Sequence, residues 1–498
     1  MLITTTAFLW ASLLLLLPYF HQKWTNWRKH RAASLKYGSQ PPVKYPHRDP
    51  FWGYDLVMKR IKAAKDGRVL PLYMDHFARY GKTWEENFQG ERTINTMEVK
   101  NIQHVAALAF HDYGKASNDM GRKFLGDGIF SQDGAEWKHS RDLIKPIFSR
   151  SEVSDVELLD FHLDRLVQLI PGDGQTINLH EPVNKMFIDS SSEYLLGKSM
   201  DLQLQKDESG EDIDFLNAFQ ACLVGAGKRR LLGKLRHIYD LFDKSWDESC
   251  RKVHHYTDIQ VNRALKEISE HGTKPARYML IHELAKAIPD PIELRSQILQ
   301  IWVPSRDTTA LVVNNAIFHL ARNPEIWDQL RVEILAVGDQ PLTFELLKSL
   351  QLFKAVIHET LRLQGPSTRV VKVAVRDTVL PVGGGPDGKA PIFVEKGTTV
   401  LLNLWGLHHD KDIWGEDVYK FKPERWATKR FTWDFVPFFG GPRICPAQPQ
   451  VLTHCLQVLA RLAKEFTRIE NRDPVQEYVE EWRLLPESRN GIKVAFYR

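Results

Sequence analysis

Apolar residues recur at i, i+3, i+4 and i+7 in six stretches of the chain: 152–170, 213–224, 252–269, 291–322, 341–363 and 446–468. That spacing is the period of a helix with one face turned inward. Strand-like stretches gather late, at 370–381, 391–403 and 491–497, with short ones near 82–99. A long helical body with small sheets predicts a single α+β domain, mostly helical, over 51–498. No repeat or low-complexity tract interrupts that span.

The first twenty residues, MLITTTAFLWASLLLLLPYF, carry no charge. As a helix they cover about 30 Å, roughly one hydrocarbon core. Lys23, Arg28, Lys29, Arg31 and Lys36 follow directly. A cleaved signal peptide needs its cations before the apolar run and a small-residue site after it, and neither is present. Residues 1–21 are therefore expected as an uncleaved transmembrane anchor, with everything downstream held on the cytosolic side. Residues 22–50 read as a basic, proline-rich linker. Its end, QPPVKYPHRDP, has four prolines in eleven positions and is expected as a stiff spacer.

Composition narrows the classes. Hydrophobic residues make up 43% and charged residues 26%, so disorder and collagen are excluded. Net charge is 67 − 62 = +5, too mild to argue for nucleic acid, though it suits an acidic partner or an anionic membrane. Four cysteines, none spaced Cys-x-x-Cys, exclude a disulfide scaffold and a zinc ribbon. Cys222, Cys250 and Cys455 are expected as small buried hydrophobes.

Gly383 to Lys389 fits the first seven positions of a phosphate-binding loop. The eighth is Ala390, without the hydroxyl a metal needs. Pro386 removes an N–H from the cradle, and a strand follows where a helix is required. A glycine-rich hairpin is expected there. His408-His409-Asp410 superficially suggests metal binding but is expected on a surface loop, where adjacent imidazoles point to opposite sides.

Cys445 has a different context, Phe438-Phe439-Gly440-Gly441-Pro442-Arg443-Ile444-Cys445-Pro446. Pro446 suits the first position of a helix, so the sulfur is expected at a helix N-terminus, where exposed N–H groups favour a thiolate. Two glycines permit the tight turn that precedes it, and Arg443 offers a cation to an anion on the same side. An electron-rich sulfur screened by Phe438 suits an axial iron ligand.

Phe-x-x-Gly-x-Arg-x-Cys resembles the haem-binding signature of the cytochrome P450 monooxygenases. Three further motifs support the likeness. Glu359-Thr360-Leu361-Arg362 and Phe421-Lys422-Pro423-Glu424-Arg425-Trp426 resemble the elements of the family's buried triad, here Glu359, Arg362 and Arg425. Trp137-Lys138-His139-Ser140-Arg141 is similar to the family's Trp-x-x-x-Arg, which binds a haem propionate. Arg306-Asp307-Thr308-Thr309-Ala310 resembles the oxygen-binding segment, in which Thr308 offers its hydroxyl to dioxygen and Asp307 relays protons. The family's Ala-Gly is replaced here by Pro304-Ser305, and Pro449 stands one turn into the expected final helix. Subfamily stretches at Leu125–Phe130, Asp133-Gly134, Leu380–Gly388 and Gly440–Cys445 resemble fungal membrane-bound P450s that hydroxylate n-alkanes and fatty acids.

The resemblance implies a P450 fold with small sheets and haem b on Cys445, with Arg443, Phe438, Gly441, Trp137 and Arg141 around it and Lys372 as a propionate candidate. It implies NADPH-derived electrons through a cytochrome P450 reductase, with cytochrome b5 as a further donor. Lys138, Lys145, Lys429 and Arg430 suit the reductase face. The substrate is expected to be lipophilic, either a fatty-acid or alkane chain or a fungal polyketide or terpenoid, and the location the endoplasmic reticulum membrane. Substrate contacts are expected from Ala107–Lys123, Phe215–Leu232 and Gly365–Val371. Lys228-Arg229-Arg230 reads as a solvated helix end ahead of a membrane-dipping one, and Arg369 as a propionate or surface group ahead of a substrate-carboxylate partner. Two rivals stay open: a reductase-independent P450 that rearranges peroxides, disfavoured by Asp307-Thr308, and a haem-binding protein without turnover, kept alive by Pro304-Ser305.

Overall fold

The computed structural model describes residues 17, 21 and 24–498, save 116–118, 149–155, 206–208, 233–235, 272–278, 431 and 484. The expected anchor, 1–21, lies outside the described residues except for Leu17 and His21. Among the described residues no helix is long and apolar enough to cross a membrane.

The chain forms two compact units. The first comprises 1–57, 73–114 and 371–403. It is built on a sheet whose strands run in the order Val43–Lys44, Thr83–Phe88, Glu91–Thr96, Thr399–Asn403, Arg369–Ala374 and Tyr113–Gly114. Trp84 is fully buried there, ringed by Tyr45, His76, Phe77 and Tyr80 with centroids 5.3–6.2 Å away. Residues 40–50, expected as a spacer, instead join this unit. Val43 and Lys44 pair in parallel with Trp84 and Glu85, and the Gln40 amide donates to the Pro391 carbonyl. Proline is tolerated at such an edge because no partner claims its missing N–H. Residues 24–37 before them are helical. The glycine stretch is the expected hairpin: Thr378–Gly384 and Ala390–Val394 run antiparallel around a turn containing Gly385 and Gly388, both at positive φ.

The second unit comprises 58–72, 115–370 and 404–498. Six of its helices matter below: α1 (Gly134–Ile144), α2 (Glu211–Leu232), α3 (Ser245–His271), α4 (Pro291–Leu320), α5 (Gln351–Gln364) and α6 (Gln448–Glu465). Asp290 caps α4, its carboxylate accepting the amides of Ile292 and Glu293, with Pro291 in the first turn. Twenty-one residues of α4 are buried, so this helix forms the axis of the unit. One apolar cluster packs on its C-terminal half with α5 and α6, and another on its N-terminal half with α2 and α3. Cys222, Cys250 and Cys455 are buried as expected, and the sulfurs of Cys222 and Cys250 lie 3.5 Å apart.

Several elements depart from the periodicity. The expected helix 341–363 is two, Phe344–Ser349 and α5, because Glu333 accepts the amides of Gln351 and Leu352 and so starts a second helix. The strand stretches 370–381 and 391–403 each divide into two strands. Helix His180–Leu196 and strand Asp173–Asn178 carry no matching expectation. His408 and His409 are buried, not on the surface. His408 Nε2 accepts the Val436 amide at 3.0 Å, and His409 stacks on Trp405 at 3.8 Å. Arg229 is also buried, donating from Nε to Asp240 at 2.7 Å and lying over Trp246, which removes it from a solvated helix end.

Candidate active site

The Cys445 loop is shaped by two left-handed residues. Phe439 has φ 63° and Gly441 φ 66°, and between them Gly440 packs where a side chain would strike Trp433. The turn closes when the Cys445 amide donates to the Phe438 carbonyl at 3.0 Å, while the Phe438 ring packs on the core beneath. Helix α6 begins at Gln448, two residues later than the Pro446 start expected. Pro449 therefore falls in the first turn, where a missing N–H costs nothing, and is no irregularity.

The amides of Ala447 and Gln448 donate to the Cys445 sulfur, and Arg141 lies close enough to favour its anion. Burial outweighs them and pushes the thiol above its ordinary range. A coordinating metal deprotonates such a thiol outright. The donors that stabilise a thiolate are thus already aimed at the sulfur, and the site fits a haem-thiolate ligand.

Trp137 and Arg141 lie on α1, four residues apart and on one face. Trp137 is buried, and the Arg443 guanidinium sits over its ring at 4.4 Å. Arg443 also pairs with Asp133 and donates to the Gln132 carbonyl at 3.2 Å. The loop and α1 are thereby joined, bringing together Trp137, Arg141, Arg443 and Cys445. Lys372 is buried on the Arg369–Ala374 strand and belongs to the first unit.

A cavity of about 160 Å³ opens above the sulfur, ample for many waters where one needs about 10–15 Å³. Cys445 and Pro446 line it together with Thr308, Thr309, Pro304 and Ser305 of α4. Much of the rest is apolar, including Ile129, Phe130, Ile144, Phe148, Ile301 and Val451. The sequence reading missed His454, yet Ala447, Gln450, Val451 and His454 all line the cavity at i, i+3, i+4 and i+7. That spacing from the loop end was the available signal. Burial holds His454 down to about 4, so its ring is neutral.

Asp307 and Thr308 diverge. The Thr308 hydroxyl lies on the cavity wall and donates to the Pro304 carbonyl at 2.8 Å. Asp307 is not among the lining residues. Its carboxylate accepts Arg306 Nε at 3.0 Å, and burial pushes it above the usual carboxylate range despite that cation. Helix α4 runs unbroken through Pro304.

The expected triad is present. Glu359 accepts both Nε and Nη2 of Arg362 (2.9 and 2.8 Å), Arg425 Nε (2.9 Å), Trp426 Nε1 (3.0 Å) and the Lys422 amide (3.0 Å). Arg362 donates onward to the carbonyls of His408 and Val418. Glu359 and Arg362 are fully buried, and so many donors offset the desolvation of the charges.

A family model described as Cytochrome P450 matches residues 46–494. The chain belongs to this family. Among its relatives, cytochrome P450 monooxygenase iccC of Talaromyces variabilis is 36% identical over 474 residues, 93% of either chain. Cytochrome P450 monooxygenase apdE of Emericella nidulans is 36% identical over 483 residues, 95% of this chain and 92% of its own. Cytochrome P450 monooxygenase himC of Aspergillus japonicus is 36% identical over 480 residues, 94% of this chain and 85% of its own. The protein is a cytochrome P450 monooxygenase of the fungal kind, and the family carries haem and draws electrons from a redox partner.

Proposed function

We propose that Cys445 would hold the iron of haem b in this cavity, with Trp137, Arg141 and Arg443 placed to bind its propionates and Phe438 and Gly441 fixing the loop. The enzyme inserts one oxygen atom of O2 into a C–H bond of a lipophilic substrate. The other atom leaves as water, and two electrons and two protons are consumed. The haem, when bound, supplies the activation of dioxygen. The chain's own residues orient it, exclude water and deliver protons.

The observation that carries this reading is the sulfur itself. It lies on the wall of an apolar cavity, receives two backbone N–H groups, and shares that cavity with the Thr308 hydroxyl. Because the Thr308 proton is engaged with Pro304, its oxygen offers lone pairs as an acceptor. Asp307, one residue earlier, has a side chain 26% exposed and so reaches solvent, from which it relays protons toward that hydroxyl.

The apolar lining supports a lipophilic substrate, either a fatty-acid or alkane-like chain or a fungal polyketide or terpenoid. NADPH-derived electrons arrive from a flavoprotein reductase, with cytochrome b5 as a further donor. Lys145 and Arg430 contribute to the basic docking face, and Lys138, tied to Asp142 on the same helix, contributes less. Lys429 is likewise tied to Asp434, at 2.6 Å. The uncharged first twenty residues and the cations behind them support a single-pass anchor in the endoplasmic reticulum membrane, with the catalytic domain cytosolic.

The test is Cys445→Ser. It is expected to abolish the thiolate-type spectrum of the reduced carbonyl complex, while Cys455→Ser leaves that spectrum unchanged. A retained thiolate spectrum in Cys445→Ser refutes the assignment.

A further inference from the structure

Helix α2 reaches the proton-delivery residues through one side chain. Arg306 Nε donates to Asp307 Oδ2 at 3.0 Å, and Nη2 of the same guanidinium donates to Gln220 Oε1 on α2 at 3.2 Å. Its flat face covers the Phe219 ring at 4.6 Å. The Arg306 side chain is only 6% exposed. The patch of α2 that holds it is fixed to α4 independently, since Phe215 and Phe219 pack on Trp302 with centroids 4.7 and 6.3 Å away. A planar fork that stacks and donates from two edges locks geometry in a way lysine does not.

We propose that Arg306 is a positioning residue that clamps the Asp307 carboxylate to α2 through Gln220 and Phe219, fixing both the aim and the charge state of the acid. This rests on the reading that Asp307 and Thr308 deliver protons. Arg306 favours the carboxylate. Burial opposes it, as does Glu487 on the Pro486–Ser488 strand, which is itself held by His180 at 3.1 Å and Arg483 at 3.8 Å. Among the described residues those are the charged groups that bear on Asp307. The form able to take up a proton is the carboxylate. Losing Arg306 therefore protonates Asp307 at higher pH and removes the relay there.

The experiment uses the haem-loaded enzyme with its reductase. It compares wild type with Asp307→Asn, Arg306→Gln, Arg306→Lys and Gln220→Ala. Two quantities are followed against pH: product formed per NADPH consumed, and the infrared band of the protonated Asp307 carboxyl, identified as the band missing in Asp307→Asn. Arg306→Gln is expected to move both midpoints upward by about one pH unit or more. Arg306→Lys keeps the charge and brings the midpoints most of the way back to wild type. Gln220→Ala leaves the infrared midpoint near its wild-type value but lowers coupling at every pH, as a freely rotating guanidinium no longer aims the acid. If Arg306→Gln lowers only the melting temperature and leaves both midpoints in place, the residue is merely structural and the proposal is overturned. If Arg306→Gln does not load haem, Arg306→Lys and Gln220→Ala decide it, and wild-type coupling in both overturns it. Unchanged coupling in Asp307→Asn instead overturns the underlying assignment of the acid. Uncoupling in Asp307→Asn beside a silent Arg306→Gln overturns the clamp alone.

Discussion

The Thr308 hydroxyl donates to the carbonyl of Pro304, one helical turn earlier, at 2.8 Å. Pro304 has no N–H, so the Gln300 carbonyl lacks its usual helical donor. The Ser305 hydroxyl adds a second side-chain bond, to the Trp302 carbonyl at 3.0 Å. The stretch of α4 that borders the cavity therefore has one carbonyl short of its helical donor, at Gln300, and two others, at Trp302 and Pro304, that accept side-chain hydroxyls.

Thr308→Ala removes the hydroxyl from the cavity wall while keeping the helix. NADPH consumption is expected to continue as product per NADPH falls several-fold and peroxide appears, whereas Thr308→Ser retains most of the coupling. Measuring NADPH, peroxide and product together checks this, and full coupling in the alanine variant contradicts the assigned role.

Pro304→Ala restores one backbone donor to α4. Denaturant unfolding should show a gain on the order of 1 kcal/mol, the net worth of one hydrogen bond. A loss would mean that the surrounding packing is fitted to the proline ring.

Glu359→Gln keeps the shape but takes the negative charge from between the buried Arg362 guanidinium and the partly buried one of Arg425. Removing one partner of a buried ion pair costs about 3–5 kcal/mol. The variant is expected to melt earlier and to lose haem on gel filtration, and a melting temperature equal to wild type refutes this account of the cluster.

His408 contributes a pH dependence. Burial, and then the nearby Arg362 charge, hold its imidazolium down to about 3, whereas an unfolded chain protonates histidine near 6.5. Between those values the unfolded state binds a proton that the native state refuses. Stability is thus complete above about pH 6.5 and falls below it by about 1.4 kcal/mol per pH unit for this one group. His408→Gln, which still offers Val436 an acceptor, should flatten the curve between pH 6 and 4 by one proton. An unaltered slope in equilibrium unfolding refutes it.

Legibility in the sequence followed the distance over which each side chain is determined. Glu359 and Arg362 are one turn apart, so their shared face was readable, and Arg425 was reached through its own short motif. The Cys445 loop was readable for the same reason, since its glycines, arginine and sulfur lie within a few residues. His408 and His409 were misread because their environment comes from Val436 and Trp405, and a loop was assumed where a helix, Leu404–His408, follows a strand directly. Arg229 looked solvated between Lys228 and Arg230, but Asp240 folds back onto it. The break at Leu350 depends on Glu333 from a neighbouring helix, which no local pattern reports. The motif places Asp307 beside Thr308, but the pairing of its carboxylate with Arg306, and the anchoring of Arg306 on Gln220, belong to tertiary packing.

One carboxylate, Glu359, gathers donors from residues 362, 422, 425 and 426. Three of its five hydrogen bonds come from the 422–426 turn and two from Arg362 on α5, so the charge is fully satisfied only when that turn is docked. The 422–426 turn and α5 are thus each other's condition for burying this charge, and their amides are expected to gain protection from exchange together.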